Sequence, residues 1–291
     1  MAFILVGMMF TVALALRIED FRGVREQPVR VVGGVLAQLL GLPLLTLGLI
    51  LVINPPASVA LGMFVVASCP GGNVSNLLTH FARGDTAYSV SLTAISSVTS
   101  ALVMPVSILF WSSIYGPTAD LVGQLDIDPM PFITQTVGLL AIPLAAGMIV
   151  TARWPRIAAR IRAVLMPASL AGIAILILVG TVQNWHIILA VGALIIPIAV
   201  IHNAAAFGLG SLWARALRLG VARRRALTFE VGIQNAGLGL LILLSQFDGL
   251  GGAAAITGMW SLWHLVAGSA LIGLFRALDW LKIGAETKTA P

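Results

Sequence analysis

Apolar runs, most of them about 20 residues long, follow one another from Ala2 to Leu278 with only short polar connections between them. A helix rises 1.5 Å per residue, so about 20 apolar residues cross the hydrocarbon layer of a bilayer. The runs are continuous rather than alternating, which excludes a strand barrel. A backbone in lipid must then satisfy its own hydrogen bonds within helices. The expectation is an all-α polytopic membrane protein with about nine transmembrane helices. They lie near residues 2–16, 31–53, 58–79, 86–115, 130–150, 167–183, 187–212, 227–247 and 253–278. Only 10% of residues are charged and 59% are hydrophobic, against roughly 25% charged in a soluble domain, so a soluble enzyme is excluded.

Charge then orients the bundle. The connection after the first span carries Arg17, Arg22, Arg25 and Arg30. Alternate connections carry Arg83, then Arg153, Arg156, Arg160 and Arg162, then Arg215, Arg218 and Arg223 to Arg225, and Arg276, Lys282 and Lys288 follow. All 17 basic residues fall on one side, and the opposite loops hold only Asp120, Asp126, Asp128 and Asp248. By the positive-inside rule the N-terminus is outside and the C-terminus cytoplasmic, as in a multi-pass inner-membrane protein. The net charge of +6 therefore reports topology rather than nucleic-acid binding. The first apolar run lacks a basic flank and a small-residue cleavage site and reads as a retained span. Cys69 is the one cysteine, so disulfides and thiolate clusters are excluded.

One carboxylate, Glu230, remains inside an expected span, in the run Glu230-Val231-Gly232-Ile233-Gln234-Asn235-Ala236-Gly237. An ionisable group at that depth costs several kcal/mol unless paired or hydrated, and marks function by default. The plain alternative is a Glu near the helix end paired with Arg223 to Arg225. A second polar interruption, Ser68-Cys69-Pro70-Gly71-Gly72-Asn73-Val74-Ser75-Asn76, joins proline to two glycines and predicts a helix broken at mid-span. Broken helices in corresponding positions of two halves are how inverted-repeat transporters hold cations. Sodium takes oxygen ligands, which Glu230, Ser75, Asn76, Ser89 and Thr93 supply; Ser89 and Thr93 share one helix face. Serine and threonine also commonly bond back to their own helix. Gln38, ahead of Pro43, suits a second ion, a substrate contact or interhelical bonding equally. The chain has no H-E-x-x-H, G-x-S-x-G or Walker A pattern, so neither an intramembrane hydrolase nor ATP-driven pumping is expected.

Cys69-Pro70-Gly71-Gly72-Asn73-Val74-Ser75-Asn76 with Ala82-Arg83-Gly84-Asp85, and Glu230-Val231-Gly232-Ile233-Gln234-Asn235, resemble the bile acid:sodium symporter family. Gly34 to Gln38 and Trp263-His264 extend the resemblance over the whole chain. It implies inverted five-helix repeats. A core (31–53, 58–79, 86–115, 187–212, 227–247, 253–278) would move against a panel (1–16, 130–150, 167–183). One sodium would be held by Ser75, Asn76, Ser89, Thr93 and Glu230, and a second by Gln38 and Gln234 with the carbonyls of Val231 and Ile233. Substrate would meet Asn73, Asn235 and His264. Relatives carry one further helix at the N-terminus, and have asparagine where Leu265 stands. The resemblance implies sodium-coupled symport of an organic anion, bile-acid-like or a small carboxylate, by a protein embedded in a lipid bilayer, with two sodium ions, no organic cofactor and no transition metal. A proton-coupled carrier or arsenite exporter of the same fold, with Cys69 at the metalloid, and a non-transporting receptor or scaffold are the alternatives.

Overall fold

A computed structural model describes the backbone of residues 2–183, 185–247 and 250–288. Side-chain surroundings are described for these except residues 2, 170, 173, 174, 176–191 and 282–288. Asp248 and the side chains of His186, Lys282 and Lys288 thus lie outside the described residues.

The chain is all-α, with no strand among the described residues. Helix α1 spans Ala2–Ala13, and the following basic connection folds into a 3-10 turn (Ile18–Phe21) and a short α2 (Arg22–Glu26). Next, α3 (Pro28–Leu36), a π-turn (Ala37–Gly41) and α4 (Leu42–Ile53) form one continuous crossing. The π-turn lies just ahead of Pro43: proline has no N–H to give, and the Leu42 N–H reaches back five residues to the Ala37 carbonyl. Helix α4 ends on Asn54 in the left-handed conformation (φ 50°).

Two of the expected crossings are each a pair of helices: α5 (Ala57–Ser68) with α6 (Asn73–Phe81), and, later, α12 (Val221–Gly232) with α13 (Ala236–Gln246). Between them lie α7 (Thr86–Ile114), a short α8 (Gly116–Gln124), α9 (Pro129–Arg153), α10 (Pro155–Gln183) and α11 (Trp185–Ala216), and α14 (Gly251–Lys288) closes the chain. Starts follow local chemistry. The Asp85 and Asp128 side chains accept from the Tyr88 and Met130 N–H groups at 3.0 and 3.1 Å, and α9 and α10 each open on a proline. Helix α10 begins 12 residues before its expected start, because Pro155 initiates it directly after α9. Arg156, Arg160 and Arg162 are therefore helical rather than in a loop.

Among the described residues, five crossings are long and apolar enough to span a membrane unaided, and α5 and α13 are shorter apolar helices. Exposed Val52, Phe110, Ile142, Val164 and Val266 form part of a lipid-facing belt. Inside, one cluster joins Leu5 and Met9 of α1 and Leu140 and Leu144 of α9 to Val65, Met104, Ile108 and Leu241. A second, including Leu92, Leu227, Val231 and Trp260, encloses the two breaks. Helices α1 and α9 approach closely: a Cβ at Gly147 would lie 2.8 Å from the Phe10 carbonyl oxygen.

Candidate ion and substrate site

Both broken crossings interrupt at the same depth and satisfy each other there. Pro70 has no amide hydrogen, and from Cys69 (ψ 152°) to Gly72 (ψ 152°) the chain is extended. Past the end of α12, Ile233 is extended as well (φ −117°, ψ 96°). The stretches run antiparallel through a Gly71–Gln234 bridge. The Gly72 N–H donates to the Ile233 carbonyl (3.2 Å) and the Asn235 N–H to the Pro70 carbonyl (2.9 Å). Orphan groups at four helix ends, unaffordable in hydrocarbon, are thereby partly paired.

Glu230, fully buried in the last turn of α12, points into this crossing. Its Oε1 accepts from the hydroxyls of Ser75, Ser89 (2.8 Å) and Thr93 (2.7 Å); its Oε2 accepts from Gln38 Nε2 at 3.0 Å. Thr93 Oγ1 also lies 3.2 Å from Asn76 Oδ1 and Ser75 Oγ 2.7 Å from the Gly72 carbonyl oxygen, second acceptors within reach of the one O–H that each hydroxyl carries. All five residues of the first expected ion site therefore meet, from α6, α7 and α12. The pairing with arginine does not form. Arg223 bonds Asp85 (3.0 Å) and Arg225 bonds Asp279, so Glu230 has no basic partner among the described residues.

Members of the second expected site also converge. Gln38 Nε2 donates to the Glu230 carbonyl (2.8 Å) and Gln234 Nε2 to the Val231 carbonyl (2.8 Å), while the Ile233 carbonyl takes the Gly72 bond. The π-turn is what aims Gln38 inward; its side chain is fully buried. Gln38 Oε1 and Gln234 Oε1 are both buried with no hydrogen-bond partner. Two orphaned amide oxygens beside carbonyls that each keep a second lone pair suit a hard cation.

The expected substrate residues are less gathered. Asn73 lines a cavity of about 250 Å³ together with Asn76 and Thr93. Asn235 caps α13, its Oδ1 accepting the Leu238 N–H at 3.2 Å. His264 is buried in α14 and is hydrogen-bonded to neither asparagine among the described residues. Cys69, also fully buried, donates its Sγ–H to the Val65 carbonyl and packs toward Gly239. A residue the sequence reading passed over is Asn203 of α11. Its Nδ2 donates to the Gly232 carbonyl at 2.8 Å, and its Oδ1 is buried without a partner. The available signal was His202-Asn203 inside an otherwise apolar run.

Residues 2–191 match the sodium bile acid symporter family. The chain belongs to this family. Across 263 residues it is 31% identical to a sodium-dependent transporter of Bacillus subtilis, itself uncharacterized, covering 90% of this chain and 78% of that one. Over 269 residues it is 29% identical to a probable chloroplastic sodium/metabolite cotransporter of Arabidopsis thaliana, with 92% and 64% coverage. The human ileal sodium/bile acid cotransporter is 29% identical over 244 residues, 82% of this chain and 67% of that one. In this member of the sodium bile acid symporter family, the broken stretches at Pro70–Gly72 and Ile233–Asn235 are the two halves of the crossing beside Glu230.

Proposed function

We propose that the protein is a sodium-coupled symporter that carries a small organic anion by alternating access. The observation that carries this reading is the Glu230 carboxyl, enclosed by three hydroxyls and an amide from three other crossings, with two orphaned amide oxygens beside it. A proton carrier needs a carboxyl group but no hydroxyl cage. A receptor has no use for either.

Each hydroxyl has one O–H and two lone pairs. In this structure the hydroxyls of Ser75, Ser89 and Thr93 donate to Glu230. An arriving sodium ion would be met by rotation of those O–H bonds, which frees oxygen lone pairs without moving a heavy atom. The ion neutralises Glu230, and a second at Gln38 and Gln234 would leave net positive charge for an anion to balance. Asn76 and Thr93 belong both to the Glu230 cluster and to the wall of the 250 Å³ cavity. Occupation of the ion site therefore shapes the surface an anion meets, which is the physical content of coupling.

Helices α1, α9 and α10 serve as the panel and the rest as the core. The cavity is lined by Arg162 and by Asp20 of the arginine-rich connection after α1, and so opens toward the arginine-bearing side. With those arginines cytoplasmic, this is the inward-facing arrangement. About 100 mV acting on one net charge and tenfold gradients of two sodium ions together supply about 5 kcal/mol, a several-thousand-fold accumulation at full coupling.

The test is thermal stability of the purified protein in sodium against equimolar potassium, with uptake of a labelled anion into sodium-free vesicles diluted into sodium or into potassium. Stabilisation and uptake specific to sodium support the reading. Indifference to sodium with a response to pH refutes it in favour of proton coupling.

A further inference from the structure

Four arginines lie between the expected fifth and sixth spans, and topology alone accounts for their presence. It does not account for where they point. Arg153, Arg156 and Arg160 are exposed, whereas Arg162, two residues further along α10, is half-buried and lines the 250 Å³ cavity. Among the described residues Arg162 has neither a hydrogen bond nor an ion pair. Asp20 lines the same cavity, but accepts from the Arg17 N–H and forms no salt bridge with Arg162 within 4 Å. Asn73, Asn76 and Thr93, from α6 and α7, line the same cavity.

We infer that Arg162 is the anion anchor of this protein, and that the cargo is a small carboxylate rather than a steroid. This rests on the symport reading above and deepens it. A guanidinium offers paired N–H donors in a fixed fork that matches a carboxylate. Half-buried at the cavity wall and unpaired, it has a fork free for such a partner. Asn73 and Asn76 offer amide groups to hydroxyl or keto oxygens near the carboxylate. Size sets the upper limit: a cavity of about 250 Å³ lies below the roughly 300–1,000 Å³ of sites for drug-sized ligands. A hydroxy or 2-oxo monocarboxylate of up to about ten heavy atoms fits it. The anchor is on α10 and the ion ligands are on α6, α7 and α12, so a bound carboxylate bridges the two groups of helices only when sodium has set Asn76 and Thr93.

The experiment uses the full chain in detergent, with thermal stability read in sodium alone and after adding pyruvate, lactate, 2-oxoisovalerate, pantoate or taurocholate. The expected result is a further, sodium-dependent rise with at least one small carboxylate and none with taurocholate. In Arg162→Gln the sodium shift should persist while the affinity for that carboxylate falls at least ~30-fold. An unchanged affinity overturns the anchor. Stabilisation by taurocholate alone, or by none of the five, overturns the small-carboxylate cargo while the sodium shift of the unaltered protein leaves symport standing. Loss of the sodium shift itself in the unaltered protein is the failure of the underlying reading. Should Arg162→Gln not fold, Arg162→Lys keeps the charge and removes the fork: a several-fold loss of carboxylate affinity supports the anchor, and no loss overturns it.

Discussion

Gln38 and Glu230 meet twice: one amide group of Gln38 donates to both the carboxylate oxygen (3.0 Å) and the main-chain carbonyl (2.8 Å) of Glu230. The other end of the same amide, Oε1, is buried and unpaired. One rigid planar group thus touches the carboxylate of the first proposed ion site and offers oxygen to the second. Events at either site are transmitted across about 2 Å of amide rather than through a conformational path.

Replacing Gln38 by Leu removes that oxygen and keeps the approximate volume. Sodium dependence of uptake should lose its cooperativity, the Hill coefficient falling from about two to about one. A curve that stays sigmoidal would disprove the shared role.

Glu230→Gln is nearly isosteric and removes the charge. Fold and helical content should survive, as judged by circular dichroism and size-exclusion, while the difference between sodium and potassium in melting temperature disappears. Sodium-specific stabilisation that persists would place the ion elsewhere.

Gly71 has no room for a side chain. A Cβ there would intrude on Glu230 Oε2 and lie 3.0 Å from Gln38 Nε2. Gly71→Ala should therefore cost about 1–3 kcal/mol by overpacking and weaken the sodium response together with stability. Chemical denaturation in detergent, with and without sodium, reads both.

Asn203→Leu leaves the Gly232 carbonyl buried without its donor. The expected penalty is about 1–3 kcal/mol, with reduced sodium affinity, since Val231 and Ile233 on either side would no longer be held in register. Sodium titration of the melting temperature checks this, and an unaltered midpoint would show that Asn203 serves stability alone.

Cys69 has no exposed surface, so maleimide labelling should be negligible in the folded protein and complete after denaturation. Cys69→Ala should keep sodium-dependent uptake. Rapid labelling of the folded state would reopen a thiol-based role.

How much of this was legible in the sequence varies with the physics involved. Glu230 stood out because desolvation penalises a charge wherever its helix packs, and Pro70 with Gly71 and Gly72 marks a break through local backbone chemistry. Nothing local marks Asn203, whose partner carbonyl is 29 residues away on another helix. An asparagine that caps a broken end reads like one that glues two helices. The start of α10 was misplaced for a related reason. Hydropathy finds where lipid begins, and the helix, initiated by Pro155, runs well beyond it, which hid that Arg162 faces inward. The π-turn at Ala37–Gly41 left no signature except the proline after it.

The bond between Gln38 and Glu230 joins residues 192 positions apart. At synthesis rates of about 5–20 residues per second, Gln38 is inserted roughly 10–40 s before Glu230 leaves the ribosome. For the last 137 residues of that interval Ser75, Ser89 and Thr93 have all been made without the carboxyl group they bond in the finished protein. Assembly of the site is therefore a late step of biogenesis. A chain halted before α12 would be threaded into the bilayer yet have no crossing, and quality control in the membrane has, in these exposed hydroxyls and amides, a polar mark that distinguishes the half-made chain from the complete one.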